Sequence, residues 1–255
     1  MESQPKYPVY IISKGRYEKT YTADMFSKYN IDYLIAVEPQ EYDLYCKKLG
    51  IKRVIKLPFS NLGLGSYPAR NFCWEHAKER GYKYHWLFDD NIRCMLKWIN
   101  GKREYHADAK KALLYIENKL NKSLFDIMGF EYKYFSTKPP KNDFKYNCHV
   151  YSAMLIKNNL PYRWRLKYNE DIDLCLQVLH NGGNTASCQY YLSDKVSTST
   201  KMKGGNQTEL YKNNSKEKNL LKAKTIEAVW PQYCKTVIRF NRHHHLINWK
   251  QFKNK

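Results

Sequence analysis

The sequence lacks any apolar stretch near its start that could serve a membrane. The longest such run is Val9–Ile12, and Ser13-Lys14-Gly15-Arg16 follows at once. A secretory leader needs about 7–15 apolar residues and a spanning helix about 20, so neither is expected and no membrane partner is implied. Cysteine offers no framework either. The seven cysteines, at positions 46, 73, 94, 148, 175, 188 and 234, are odd in number and scattered, with no C-x-x-C pair. That argues against a zinc site or a disulfide-stapled small domain, and for a reducing cytoplasm. Internal repeats and low-complexity segments are also missing. Acid is in short supply: 24 Asp and Glu face 44 Lys and Arg, for a formal net charge of +20.

What is present is enough for a sizeable core. The 255 residues allow one large domain or two small ones. A hydrophobic share of 43% with 15% aromatics excludes a wholly disordered chain. The basic excess favours a polyanionic partner, because each neutralised phosphate releases counterions. The chain is rich in residues with A/T-rich codons, including 23 Tyr, so drift explains part of the lysine. Drift does not thin the acids. The excess sits in Lys138–Lys145, Arg163–Lys167, Lys201-Met202-Lys203, Lys212–Lys224 and the end from Arg239. Tyr132, Tyr134, Phe135, Tyr162, Trp164, Tyr168 and Tyr211 interleave these stretches. The mixture suits phosphate contacts beside base stacking, although each ring alone also fits a half-buried core position.

Strand and helix patterns alternate over the first hundred residues. Tyr7–Ile12, Asp32–Val37, Arg53–Leu57 and Lys83–Phe88 read as strands. Between them, Glu18–Tyr29, Pro39 to Leu49 and Pro68–Arg80 read as helices, the last two stopped by Gly50 and Gly81. Such alternation makes right-handed crossovers and a parallel sheet. Ligands on these sheets sit at the carboxyl ends of strands, where Ser13–Arg16, Glu38 and Asp89–Asn91 fall. Beyond residue 92, strands are expected at Arg93–Ile99, Phe125–Phe135, Asn147–Ile156, Thr185–Leu192 and Lys235–Phe240. Helices are expected at Ala107–Leu120, at Asn169–His180 with Asn169 as cap, and at Glu209–Val229. Ser197–Asn206 reads as a polar loop. The expected fold class is α/β, one domain over 1–240 with a mixed, mostly parallel sheet and helices on both faces, then a basic tail over 241–255.

Three places carry the residue types that chemistry needs. Asp89-Asp90-Asn91 ends an apolar strand, and adjacent carboxylates there repel unless a cation sits between them. A solvated turn is the plainer alternative. Gly63-Leu64-Gly65-Ser66-Tyr67-Pro68-Ala69-Arg70-Asn71 joins a glycine-bearing loop to a helix start, and Arg70 offers a planar fork to phosphate or ribose. This is neither G-x-G-x-x-G nor a Walker loop, so Rossmann and P-loop chemistry are not indicated. Glu170-Asp171 opens a later helix, where the dipole favours acids in any case. Of His243-His244-His245, at most one or two can share an ion, since neighbours point in different directions.

In that order, these features resemble nucleotide-sugar glycosyltransferases of the GT-A fold over residues 7 to about 192. Ser13-Lys14-Gly15-Arg16, Val37-Glu38-Pro39-Gln40-Glu41-Tyr42 and Lys203-Gly204-Gly205-Asn206 resemble, more narrowly, the TET-associated glycosyltransferase family. Members occur in bacteriophages and are implicated in glycosylating hydroxymethylated pyrimidines in DNA. The resemblance implies donor contacts from Ser13, Lys14, Arg16, Glu38, Arg70, Asp89 and Asp90. It implies catalytic roles for Asp171, as general base, and for Glu170 beside it. It also implies a divalent metal, Mn²⁺ or Mg²⁺, on Asp90, Asn91 and a late histidine, His243. Asn91 departs from the usual third acid but can ligate through its carbonyl oxygen. Lys201, Lys203, Gly204, Gly205 and Asn206 are assigned to the DNA acceptor.

The leading expectation is therefore a metal-dependent transferase moving sugar from a UDP-sugar to a DNA hydroxymethylpyrimidine, with the oligomeric state left open. Rival readings are a transferase acting on polysaccharide or glycolipid, a metal-dependent nuclease, and a non-catalytic nucleic-acid-binding module. Arg70-Asn71 and Glu38 have no natural place in a nuclease, and no helix-turn-helix, zinc or RNP signature supports a module. On this reading Asp90→Ala stops transfer and leaves the fold intact.

Overall fold

The computed structural model describes residues 3–122, 124–196, 202, 204–205 and 216–253. Its sheet is built on short apolar strands: β1 (Val9–Ile12), β2 (Leu34–Val37), β3 (Val54–Lys56) and β4 (Tyr84–Asp89). These lie parallel in the order β3-β2-β1-β4. Strands buried on both faces need cover on both. Along β1, Val9 and Ile11 enter one core with Phe26, Ile35, Trp86 and Phe88, and Tyr10 and Ile12 enter the other with Trp74, Leu87 and Trp164. That alternation is the two-residue period of a strand. The first core is covered by α1 (Tyr21–Lys28) and α4 (Ala109–Lys122), the second by α3 (Tyr67–Glu79) and α5 (Glu170–His180). The helix α2 (Tyr42–Leu49) packs beside β3 and contributes Tyr45 to the first core.

Past β4 the sheet continues through β9 (Ala153–Lys157), β7 (Ile127–Tyr132), β10 (Thr185–Lys195), β5 (Ile92–Ile99) and β6 (Lys102–Ala107), with β8 (Phe144–Tyr146) beside β10. β5, β8 and β9 run against the other strands, so the sheet is mixed and mostly parallel in direction. Among the described residues no helix is long and apolar enough to cross a membrane.

Three segments differ from the sequence expectation. Lys102–Ala107 is strand rather than connection: its sequence K-R-E-Y-H-A has no apolar alternation because it forms the exposed sheet edge, where charge discourages further pairing. The expected strand over 147–156 starts only at Ala153, and the short strand β8 precedes it. The basic tail over 241–255 is not a tail, since β12 (Arg242–Ile247) pairs antiparallel with β11 (Cys234–Arg239). Phe240 and Asn241 both take positive φ (51° and 56°), as a tight two-residue hairpin requires. The hairpin and α6 (Lys216–Val229) dock on the outer side of α5 through Leu176, Leu179, Ile226, Trp230, Cys234 and Phe252. Of the helix expected over 209–229, residues 209–215 lie outside the described residues.

A titratable group is locked in this core. His85 on β4 is fully buried, its Nδ1 2.6 Å from Asn158 Oδ1 and its Nε2 without a partner among the described residues. Burial pushes its pKa down to about 4. The unfolded chain takes up that proton near pH 6.5 and the folded chain does not, so stability falls as pH drops from about 6.5 toward 4. Urea unfolding is expected to show about 2 kcal/mol of stability lost between pH 7 and 5 that a His85→Phe variant does not lose. Equal pH dependence in both proteins would refute it.

Candidate active site

The register of β1 with β4 pairs Ile12 with Asp89, and the Ser13 amide donates to Ala36 O at 3.1 Å. The loops leaving β1, β2 and β4 therefore emerge side by side at one end of the sheet. There they line a cavity of about 270 Å³ together with the Gly63–Gly65 loop, the start of α3 and the start of α5. Ser13, Lys14, Arg16, Glu38, Arg70, Asp89, Asp90, Asn91, Glu170 and Asp171 all line it.

Two ion-pair systems organise the floor. Asp90 is 4% exposed and receives Arg16 Nη1 on one oxygen and Ser13 Oγ, at 2.6 Å, on the other. Burial pushes the Asp90 carboxyl up, against the pull of Arg16. Asp89 receives Arg70 Nη2 at 2.7 Å and Lys195 Nζ at 2.6 Å. Burial opposes ionisation there too, but Lys195 and Arg70 outweigh it and hold Asp89 well below the usual carboxylate range. Arg70 is itself buried, stacked 4.8 Å over the Trp164 ring, with Nε on Ser66 Oγ at 3.0 Å. Its Nη1 has no partner among the described residues.

The Glu170-Asp171 pair is split by its surroundings. Glu170 accepts Ser66 Oγ at 2.6 Å and lies 3.5 Å from Arg70 Nε. Asp171 has, among the described residues, only a hydrogen bond from the Ile172 amide at 2.9 Å. Burial raises the pKa of both, and Arg70 opposes the rise. Asp171 is thus a desolvated carboxylate facing the cavity with oxygen to spare. Asn169 is not the side-chain cap expected for α5. It takes φ 56°, and its Nδ2 donates to Lys222 O at 2.9 Å.

Glu38 accepts Gln40 Nε2 at 2.6 Å, Lys14 Nζ at 2.9 Å and the Asn61 amide at 3.0 Å. Burial pushes its pKa up, but these donors prevail and lower it. It ties the β1 loop to the chain leading into the glycine loop. Gly204 and Gly205, assigned to the acceptor in the sequence, pack against the β1 loop. Gly204 O accepts Arg16 Nη2 at 2.9 Å, the Gly205 amide donates to Lys14 O at 2.7 Å, and Gly205 lines the cavity. A Cβ on Gly204 would lie 2.4 Å from Gly15 O, so only glycine allows this approach. Lys201, Lys203 and Asn206 lie outside the described residues.

Two residues that shape the site were given no role from the sequence. Lys195 closes β10 three residues past the strand end expected there, and it follows the same carboxyl-end rule that found Asp89. Glu41 accepts the Gly15 amide at 2.6 Å and fixes the turn of the β1 loop.

The expected metal ligands are only partly assembled. His243 sits opposite Ile238 on the hairpin and does not line the cavity. Among the described residues no three His, Cys, Asp or Glu side chains converge as a self-sufficient metal centre. Asp90 and Asn91 do line the cavity, and Asn91 Oδ1 is a buried acceptor without a partner among the described residues. Five carboxylates (Glu38, Asp89, Asp90, Glu170, Asp171) face four cations (Lys14, Arg16, Arg70, Lys195) in the lining. A dianionic diphosphate entering this balance would lack a counter-charge. The residues therefore fit a divalent ion that arrives with a diphosphate and needs only one or two protein ligands.

Among solved structures, one described as a nucleotide-diphospho-sugar transferase from Desulfovibrio desulfuricans G20 is similar at a TM-score of 0.41 and 10% identity, covering 71% of this chain and 78% of that one. Curated proteins yield no significant match. The profile of one family, the TET-associated glycosyltransferases, matches residues 7–205, from the residues just ahead of β1 to the glycines packed on its loop. With more than half of its length matched, the chain belongs to the TET-associated glycosyltransferase family.

Proposed function

We propose that this glycosyltransferase moves a sugar from a UDP-linked donor to the hydroxymethyl group of a pyrimidine base in DNA. The observation that carries the reading is Asp171: a half-buried carboxylate without a cation partner among the described residues, facing a cavity where Arg70 Nη1 is likewise unpartnered among them. The acceptor oxygen would bond to the anomeric carbon as the bond from that carbon to the diphosphate breaks. Asp171 takes the hydroxyl proton, and Arg70 and Lys195 face the departing diphosphate. A Mn²⁺ or Mg²⁺ held by Asp90 and Asn91 would neutralise the diphosphate as a Lewis acid. Ser13, Lys14 and Glu38 stand where the β1 and β2 loops would hold the nucleoside. The net charge of +20 supports a polyanionic acceptor.

The test is a donor screen on DNA containing hydroxymethylcytosine or hydroxymethyluracil, read by nucleoside mass spectrometry. Addition of one sugar mass to the modified nucleoside is expected; transfer to glycan but never to DNA would reject the acceptor. EDTA is expected to stop turnover and Mn²⁺ or Mg²⁺ to restore it. Full activity after exhaustive chelation would show that the side-chain cations suffice.

A further inference from the structure

Beside the cavity runs a continuous strip of aromatic rings that the glycosyl-transfer site does not use. Tyr134 and Phe135, 62% and 64% exposed, form its outer end. Both pack edge-on to Tyr132, at 5.0 and 5.7 Å between centroids. Phe135 and Tyr132 each meet Tyr151, at 6.0 and 6.5 Å. Tyr151 stacks on His149 at 5.1 Å with 11° between the ring planes.

The inner end of the strip is bolted to the chemistry. Tyr132 donates its hydroxyl to Lys195 O at 3.0 Å, and Lys195 Nζ reaches both Asp89 and Ser152 Oγ. Ser152 follows Tyr151 directly, and its carbonyl accepts the Asp89 amide at 2.8 Å. The Tyr151 hydroxyl is buried with no partner among the described residues, and the Asp171 carboxylate is close enough to act on it electrostatically. Packing does not explain two large rings at an outer edge, since neither gains much burial there. Lys133 Nζ lies 5.1 Å from the Tyr134 ring centroid, and exposed Lys138 follows Phe135 in the chain, so positive charge accompanies the outer rings.

We propose that the Tyr134–Phe135–Tyr132–Tyr151 strip is the acceptor subsite, on which unstacked nucleobases of the DNA strand lie while the target hydroxymethyl group is presented to Asp171. The proposal rests on the DNA-acceptor reading above. Aromatic faces suit it because every base has a π-face, and stacking tolerates any sequence while lysines hold the backbone. A target inside a duplex would have to leave the stack to reach Asp171, and the strip offers the flanking bases a replacement surface.

The experiment uses the full chain and a single-stranded oligonucleotide with 2-aminopurine beside a hydroxymethylcytosine. Binding is followed by anisotropy and stacking by fluorescence quenching. The parent is expected to bind and quench. Phe135→Ala and Tyr134→Ala are each expected to weaken binding by about 5- to 100-fold and to relieve the quench. Phe135→Trp is expected to keep both. Thermal melting and UDP affinity, measured in parallel, report whether each variant keeps its fold. Parent-like binding and quenching by the alanine variants would overturn the subsite and leave the DNA reading standing. If the parent itself binds no DNA, the acceptor reading falls, and the subsite with it.

Discussion

Asp171→Asn is expected to lower transfer by about 10²- to 10⁴-fold, the scale on which a general base acts. UDP binding should hardly change, because Asp171 makes no ion pair among the described residues and the amide keeps its size. The pH profile supplies the sharper signature. Burial raises the Asp171 pKa, while Arg70 and Lys195 pull against the rise. A base works when ionised, so kcat/KM should climb with pH through that raised pKa, on an acidic limb lying above the ordinary aspartate value of about 4. Asp171→Asn should flatten that limb. Glu170→Gln should behave differently, since Glu170 is bound to Ser66 and braced by Arg70. Its expected defect is in donor affinity and stability, with the pH limb retained. An Asp171→Asn enzyme that turns over within about threefold of the parent would remove the base from this position. A retaining mechanism would then fit better.

The second large effect is structural and reverses a sequence-level expectation. Asp90→Ala was expected to silence the enzyme without touching the fold. In the structure the Asp90 carboxylate is the counter-charge of a buried guanidinium, Arg16, and it also receives Ser13 Oγ. Removing one partner of a buried pair strands the other and costs about 3–5 kcal/mol. At about 2–4 °C per kcal/mol for a chain of this size, the melting temperature should fall by roughly 10 °C. The double variant Arg16→Met/Asp90→Ala should recover part of the loss, because the guanidinium that Asp90 counterbalances is removed with it. A single-variant melting temperature within 2 °C or so of the parent, by differential scanning fluorimetry, would mean the pair contributes nothing to folding. Inactivity of Asp90→Ala, taken alone, therefore says little about metal.

The parallel half of the fold was legible because its strands are apolar on both faces and each is punctuated by glycine or proline. Gly50, Pro68 and Gly81 place helix ends within a residue or two of where they lie, and Pro39 opens a 3₁₀ turn, Pro39–Glu41, that leads into α2. The carboxyl-end rule then gathered Ser13, Glu38, Asp89 and Asp90 without any knowledge of register. What sequence could not show is who neutralises whom. Asp89, Asp90 and Glu170 look equivalent as written, yet each is committed to its own set of partners, and among the described residues Asp171 is the one of the four without a side-chain partner. Those partners, Arg16, Ser66 and Lys195, are separated from them by 74 to 106 residues. Edge strands such as β6 and β12 were invisible for another reason. Their order comes from backbone pairing, which leaves no alternation in K-R-E-Y-H-A or R-H-H-H-L-I.

The docking of the C-terminal helix and hairpin on α5 has a consequence for where this enzyme can be cut. The family match ends at residue 205, yet the Trp230 indole donates to the buried Asp173 at 2.8 Å, and the Lys222 carbonyl anchors Asn169. Both contacts land within two residues of Asp171. A fragment trimmed to the matched stretch would keep every cavity residue and lose the outer buttress of the helix that carries Asp171, the proposed base. Domain swapping or library design at position 205 would thus cut α5 from its support while every motif stayed in place.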